Sequence, residues 1–408
     1  MGKLGPAFSR LLTASALSNL ADGVFQVALP LLAVTITKSP ALVAGVALAQ
    51  RLPWLVMALP AGALADRLDR RQTMIRVDLL RVTVMGGLAL TVALDVASMP
   101  LIYAAALVLG IGETLFDTSA QSILPSIVDR DQLSKANGRL QAVELTTNQF
   151  IGPPLGGLLA AATLTAAFAS SAAAYLVAAV SLVLIAGSFR PERTGPPTRM
   201  RDDIAEGLRF VWHNPVLRAL GLMLGLTNLA FMAYFSVFVL FAVEPGPMGL
   251  SKAGYGLILS SAAFGGVAGS WAGPRLERVA GRARCLFGAI VLFGASLAVP
   301  AITTDIAANV AAFVVASFGS VVWNVITVSL RQRITPDHLL GRMNAAYRML
   351  GWGTMPIGAA LGGAIAELAN LRTVFVVAAL LHLPLLLGFL VVTEERIEHA
   401  ESGGTVGS

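Results

Sequence analysis

Long apolar stretches recur along this chain, and short polar segments separate them. Most stretches run for about 20 residues, which is the length that a helix needs to cross a hydrocarbon layer of ~30 Å. They are continuously apolar, whereas the strands of a membrane barrel alternate. Only helices and closed barrels satisfy every backbone hydrogen bond in lipid. The pattern therefore predicts an all-α, polytopic membrane protein.

Twelve such stretches predict twelve transmembrane helices, with both termini on one side. The predicted spans are 11–36, 41–65, 76–97, 100–123, 138–162, 166–188, 216–243, 252–274, 284–303, 306–330, 341–366 and 372–393. Of the 29 lysine and arginine residues, 25 lie in or beside the loops of one side, three lie on the other, and Arg51 lies between. Basic loops stay in the cytoplasm. We therefore expect a plasma or inner membrane protein with both termini cytoplasmic.

The longest connection divides the chain into two halves of six spans. We predict an N-terminal half at 1–188, a cytoplasmic linker at 189–215, a C-terminal half at 216–393 and a cytoplasmic tail at 394–408. The linker begins with the charged, proline-containing stretch RPERTGPPTRMRDD. It ends in IAEGLRFVWHNP, whose apolar residues form one stripe and predict an interfacial amphipathic helix.

An internal repeat supports two equivalent halves. DQLSKANGRLQAVELTTNQFIGPPLGG begins at Asp131, and DHLLGRMNAAYRMLGWGTMPIGAALGG begins at Asp337, with a constant offset and no gap. The glycines near the end of the first copy coincide with glycines of the second. An ungapped match at the same place in each half predicts a duplicated six-helix unit.

Composition excludes several classes of protein. The chain is 56% hydrophobic and 13% charged, against roughly 25% charged residues in soluble domains. The net charge of +6 comes from basic residues spread over short loops, so no nucleic-acid face is expected. The single cysteine, Cys285, excludes an internal disulfide and a CxxC metal site. Without a Walker A, HExxH or nucleophile-elbow motif, we predict no enzyme, no catalytic residues, no metal and no cofactor.

The charged turn after span 2, GALADRLDRR, carries a further signal. Together with the two six-helix halves, it resembles the major facilitator superfamily, whose loop 2–3 signature it matches. Asp69 stands where that signature usually has glycine. The resemblance implies that Asp66 latches the two halves together in the outward-facing state. The alternative is a positive-inside stop signal with solvated charges. The matching residues are Gly62, Leu64, Asp66, Arg67, Arg70 and Arg71.

The stretch GPPLGG in span 5 resembles the antiporter signature of exporters in that superfamily. Asn148 occupies the place of one of its earlier glycines. QSILPSIV, LSKANGRLQA and EGLRFVWHNPVLR further resemble drug and siderophore exporters of the macrolide efflux and enterobactin type. Small residues permit close helix approach, so we expect a bend that seals the interface, with ordinary tight packing as the alternative. The motif residues are Gly152, Pro153, Gly156 and Gly157.

Ionisable residues deep in a membrane are costly and usually serve a function. Six lie deep in the predicted spans. Burial favours the neutral form of a carboxyl group and a nearby cation favours the charged form, so the acids are proton-coupling candidates and the arginines are their charge partners. Asp22 and Arg51 lie at similar depths and could form an ion pair. A static pair of this kind, which never changes its protonation, is the alternative to proton coupling. The six are Asp22, Arg51, Glu113, Asp117, Glu144 and Arg348.

In the fold that the chain resembles, helices 1, 4, 7 and 10 line the cavity. The substrate-cavity candidates on spans 1, 7 and 10 are Asn19, Gln26, Asn228 and Asn324. The basic signature that many drug:proton antiporters carry on helix 4 is missing, and Glu113 occupies that helix. His382, in span 12, is expected to be neutral and hydrogen-bonded.

The sequence therefore predicts a secondary active exporter of amphipathic small molecules such as drugs, antibiotics or siderophore-like metabolites. We expect proton antiport by alternating access. The expected partners are a small-molecule substrate, protons and membrane lipids, with no nucleic acid, and the protein is expected to be a monomer. The alternatives are a facilitator or importer of the same fold, and a non-transporting receptor or lipid-handling scaffold.

Overall fold

The computed structural model describes residues 4–65, 68–129, 132–187, 189, 200–336 and 339–401. These residues are helical apart from turns, and their one strand-like contact is an isolated bridge between Val243 and Leu250. The all-α prediction is therefore confirmed. The chain forms two compact units: Met1–Gly195 with Ala242–Ser260, and Pro196–Phe241 with Ser261–Ser408. The predicted domain boundaries stay a prediction.

The helices follow one another with short connections. In the first unit they are α1 (Pro6–Ile36), α2 (Pro40–Ala65), α3 (Arg70–Ala93), α4 (Met99–Ile123), α5 (Leu133–Glu144), a π-helix (Leu145–Ile151), α6 (Gly152–Ala162) and α7 (Leu164–Val183). Next come α8 (Met200–His213), α9 (Pro215–Ala242), α10 (Lys252–Ala280), α11 (Arg282–Ile302), α12 (Ile306–Ile334), α13 (Leu340–Trp352), α14 (Met355–Leu368), α15 (Leu371–Leu380), a 3₁₀-helix (Pro384–Leu390) and α16 (Glu394–Glu401).

Every predicted span is helical, but the number of membrane crossings stays a prediction. Within the described residues, nine helical segments are long and apolar enough to cross a membrane. The helices α3 and α10 and the segment α5–α6 are not among the nine. Helix α3 is long enough but not apolar enough, because it carries several charged residues, including Asp78 and Arg81.

Helix α1 is the central element of the first unit. Its buried residues lie on all sides and along most of its length, as expected for a helix surrounded by protein. Its N-terminal end contributes Phe8 and Leu11 to a core that also contains Met74, Phe116 and Leu182. This placement brings the polar groups of α1 against α3 and α7.

Three predicted spans are not continuous α-helices, and proline is the physical reason in each. Proline has no N–H group and clashes with the carbonyl four residues earlier. Pro153 begins α6 after the π-helix, and Pro356 begins α14 after a break at residues 353–354. Pro384 ends the helical run of the last span after α15 and begins the 3₁₀-helix. Span 5 changes from α-helix to π-helix and back before Pro153, and the predicted bend that seals the interface stays a prediction.

The linker helix and the tail both pack on protein. Helix α8 contacts α13: Glu206 pairs with Arg342, and Val211 is fully buried. Helix α16, predicted as part of a tail, buries Ile397. Its Glu394 accepts a hydrogen bond of 3.0 Å from the backbone N–H of Ala283 at the start of α11. Both segments therefore belong to the folded second unit.

Candidate functional site

A buried ionic cluster lies among α1, α3 and α7, and we call Asp22, Asp78 and Arg81 with Tyr175 and Ser18 the α1–α3–α7 cluster. The guanidinium Nη1 of Arg81 is 3.5 Å from Asp78 Oδ1 and 3.8 Å from Asp22 Oδ2. The Tyr175 hydroxyl donates to Asp22 Oδ1 at 2.6 Å. The Ser18 hydroxyl donates to Asp78 Oδ1 at 2.9 Å. Two carboxylates therefore share one guanidinium.

The cluster is closed off from solvent. Arg81 is 1% exposed, Asp78 is 0% exposed and Asp22 is 7% exposed. The guanidinium carbon lies 5.4 Å from the Phe116 ring centroid and 5.1 Å from that of Tyr175, within the range of cation–π attraction. Removing charges from water costs several kcal/mol per ion. With both acids ionised the cluster has one uncompensated negative charge, which a proton would neutralise.

Two further acids lie one turn apart on α4. Glu113 and Asp117 are half-buried. The charges of Arg51 and Arg81 both act on Glu113, and the Trp54 indole lies beside its carboxylate. Asp117 has acidic neighbours, first among them Glu113. The predicted deep acids of α1 and α4 are thus electrostatically linked.

The pair between Asp22 and Arg51 that their similar depths allow does not form in this structure, where the ion pair of Asp22 is with Arg81. The predicted span 3 begins at residue 76, which places Arg81 near the predicted cytoplasmic edge. Helix α3 begins at Arg70, so Arg81 lies about 16 Å along it. Asp78 and Tyr175 were missed altogether. Opposite charges at i, i+3 within an apolar stretch were the available signal for Asp78.

The remaining predicted charges are accessible. Glu144 is exposed at the end of α5, immediately before the π-helix, and its charge acts on Asp117. Arg348 is exposed on α13 in the second unit. Glu144 therefore extends the acidic group of the first unit to a third helix.

The antiporter motif begins where the π-helix ends. The N–H of Gly152 donates to the carbonyl of Thr147, five residues earlier. An alanine Cβ at Gly152 would lie 2.6 Å from the Cα of Gly23 in α1, and one at Gly156 would lie 2.7 Å from the carbonyl oxygen of Val24. Only glycine lets these backbones approach so closely. These two glycines form the crossing of α6 with α1.

Gly157 faces another neighbour. A Cβ added at Gly157 would lie 2.7 Å from the carbonyl oxygen of Lys252 and 3.0 Å from the Cα of Gly256. Both belong to the part of α10 that packs in the first unit. The motif therefore lets α6 pack tightly on two helices at once.

The second copy of the repeat makes the equivalent crossing. Gly358 meets the backbone of Leu229 in α9, and Gly362 meets that of Ala233. Gly23 and Leu229 have the same 206-residue offset as Gly152 and Gly358. The duplication therefore extends from sequence to helix packing.

The end of the loop 2–3 signature lies within the first unit. Asp66 and Arg67 lie outside the described residues, and Gly62 and Leu64 lie at the end of α2. The Asp66 latch therefore stays a prediction.

The next two arginines bind the ends of neighbouring helices. Arg70 donates to the carbonyl of Ser122 at 2.8 Å, and Arg71 donates to that of Ile185. These carbonyls lie at the C-terminal ends of α4 and α7, where cations are stabilising.

Asp69 explains the departure from the usual glycine. It is the N-cap of α3, and its Oδ1 accepts from the backbone N–H of Gln72 at 3.0 Å. Its Oδ2 accepts from the N–H of Phe189 at 2.8 Å, and the residue is buried. One carboxylate therefore joins the start of α3 to the segment after α7.

The predicted cavity amides serve different purposes. Asn228 donates to the Gly351 carbonyl at 2.9 Å, next to the break between α13 and α14. Asn19 is buried and donates to the carbonyl of Ser15 one turn earlier at 2.9 Å. Asn324 is exposed on α12. Asn228 thus satisfies a carbonyl beside the helix break.

Two other polar residues complete the set. Gln26 is half-buried on α1. His382 is buried, with its Nδ1 3.0 Å from the Ala378 carbonyl. The prediction that His382 is hydrogen-bonded is therefore confirmed.

A family profile described as transmembrane secretion effector matches residues 5–406. The chain belongs to this family of the major facilitator superfamily. The chain is 28% identical to the multidrug efflux pump Tap of Mycolicibacterium fortuitum over 421 residues, which cover 98% of each chain. It is 26% identical to the enterobactin exporter EntS of Salmonella typhi over 378 residues, which cover 90% of this chain and 87% of that one.

Solved structures support the major facilitator fold for this chain. A bacterial homologue of the iron transporter ferroportin, in its inward-facing state, matches with a TM-score of 0.74 at 17% identity and covers 95% of this chain and 99% of that one. A bacterial homologue of the lysosomal transporter Spinster matches with a TM-score of 0.71 at 15% identity, covering 98% and 99%. The chain is a multi-pass membrane protein with the major facilitator fold, and it belongs to a transporter family.

Proposed function

We propose that this protein is a secondary active exporter that moves amphipathic small molecules, such as drugs, antibiotics or siderophore-like metabolites, out of the cytoplasm in exchange for protons. It crosses the membrane twelve times as a monomer, with both termini in the cytoplasm, and works by alternating access. The observation that carries proton coupling is the α1–α3–α7 cluster, in which two buried carboxylates share one guanidinium.

A proton gradient supplies enough energy for useful export. One proton moving inward down ~100 mV releases about 2.3 kcal/mol. At about 1.36 kcal/mol per decade, this supports roughly fifty-fold accumulation of substrate per proton. A site that binds a proton on one side and releases it on the other must hold a carboxylate whose charge is costly to bury. Asp22, Glu113 and Asp117 supply such groups in the first unit.

Two observations support the outward direction. The named relatives with near full-length similarity are an efflux pump and an exporter. The glycines of the antiporter motif also make backbone crossings with α1 and α10, which suits a seal that must be tight to protons. An importer or facilitator of the same fold remains the outcome to be tested against.

The test is transport of a panel of antibiotics and dyes into inverted membrane vesicles, with and without a pH gradient. We expect accumulation that collapses when the gradient is removed, and Asp22→Asn or Glu113→Gln should abolish it. Asp305→Asn is the matched control, because Asp305 is an exposed helix N-cap that asparagine can replace. Uptake that equilibrates without a gradient would instead identify a facilitator.

A further inference from the structure

We propose that Asp78, on α3, is a proton-binding site of this transporter, and that Arg81 moves between Asp78 and Asp22 as the proton arrives and leaves. This inference deepens the proposed function and rests on it for its role in transport. The proton comes from water on one side of the membrane and returns to water on the other. Only an O–H bond on a carboxyl group forms and breaks.

The two carboxylates differ in how well their charge is compensated. Asp22 has a short hydrogen bond from Tyr175 to Oδ1, while Oδ2 faces Arg81. Asp78 receives one hydrogen bond, from Ser18 to Oδ1, and its buried Oδ2 has no hydrogen-bond partner among the described atoms. An unpaired ionised oxygen in a buried site is costly. Protonation of Asp78 removes that cost, so Asp78 is the better site for the extra proton.

Arg81 is poised between its partners. The same Nη1 atom lies 3.5 Å from one carboxylate and 3.8 Å from the other, and both distances exceed a normal N–H···O bond. A small movement would give a direct hydrogen bond to either acid. When Asp78 is neutral, Arg81 is free to pair fully with Asp22. Protonation thereby changes the contact between α3 and α1.

Charged groups from the other helices surround the α1–α3–α7 cluster. Helix α4 faces it with Glu113, whose charge acts on Arg81, and Asp117 is also within range of Arg81. Arg51 of α2 acts on Glu113. Helix α7 contributes Tyr175, and α1 contributes only Asp22 among charged groups. In the second unit, α11 and the turn after α15 instead bring together the rings of Phe293 and His382, whose centroids are 5.7 Å apart.

Asp22 is the entry point of the cluster. It is the most exposed of the three ionised groups, at 7% against 1% for Arg81 and 0% for Asp78. A proton that reaches Asp22 can pass to Asp78 while Arg81 turns from one to the other. This order gives the fully buried carboxyl group of Asp78 a path to water.

The experiment is an infrared pH titration of the purified, detergent-solubilised protein, which needs no known substrate. Acidification of the wild type should produce a C=O band of a buried protonated carboxyl group. Asp78→Asn should lack that band. Asp95→Asn should keep it, because Asp95 is exposed beyond the other end of α3. A full band in Asp78→Asn, or none in the wild type, would overturn the assignment.

A milder variant tests the proposal even where Asp78→Asn does not fold. Ser18→Ala removes the hydrogen bond to Asp78 while keeping every charge. A donor to a carboxylate favours its ionised form, so its loss should move the midpoint of the band to higher pH, by on the order of one pH unit. An unchanged midpoint would contradict the proposal.

The vesicle assay separates this inference from the proposed function. If wild-type transport ignores the pH gradient while the Asp78 band titrates as expected, proton antiport fails and the proton site stands. If transport is gradient-driven while Asp78→Asn keeps the band, antiport stands and the site lies elsewhere.

Discussion

The crossing of α6 with α1 provides the sharpest test of the antiporter motif, through the substitution Gly152→Ala. The new Cβ would lie 2.6 Å from the Cα of Gly23, whereas carbon atoms in contact prefer about 3.5–4.0 Å. The two backbones must therefore separate by about 1 Å. Overpacking of this kind costs about 1–3 kcal/mol. We expect a loss of that size in the free energy of unfolding.

The matched control is Gly86→Ala in α3. A Cβ at Gly86 meets no heavy atom within 4 Å, so alanine should gain about 1 kcal/mol from its better helix propensity. The two variants should thus differ by at least ~2 kcal/mol, in opposite directions from the wild type. Thermal unfolding of the purified proteins in the same detergent measures the difference. Equal stability of Gly152→Ala and Gly86→Ala would refute the close crossing of α6 with α1.

Three further predictions concern other contacts. Asp69→Ala should destabilise the protein by about 0.5–2 kcal/mol through loss of the α3 N-cap, and Asp69→Asn should recover most of this in thermal unfolding; equal losses in both would argue against capping. Glu394→Ala should cost about 1 kcal/mol because the α11 N-terminus loses its acceptor, while an unchanged melting temperature would mean that α16 docks by apolar contacts alone. Gly157→Leu should push α6 away from Gly256 and change the crosslinking of cysteine pairs on the two membrane sides in a cysteine-free background; unchanged crosslinking with intact export would reduce the motif to ordinary packing.

Local properties of the sequence determined the helical class of this protein and the position of each predicted span. The length of an apolar run and the spacing of its residues depend only on the run itself. All twelve predicted spans are helical for this reason. The repeat likewise identified equivalent glycines before any contact was known, because a duplicated unit keeps its register.

Changes of helix type were only partly readable from sequence. The prolines at 153, 356 and 384 marked the places where regular α-helix ends. They could not say whether a π-helix, a break or a 3₁₀-helix would form beside each proline, since the neighbouring helices satisfy the freed carbonyls. Asn228 illustrates this, because its partner Gly351 lies on another helix.

Tertiary structure alone decided which charges meet. Depth along each span suggested Arg51 as the partner of Asp22, but depth does not give the rotation of a helix or the neighbour that it faces. The packing of α3 and α7 on α1 instead brings Arg81 and Tyr175 to Asp22. It also buries Asp78, for which the sequence pattern predicted no role. A pair of buried charges is set by the facing sides of two helices, and that is a property of their packing rather than of either sequence segment.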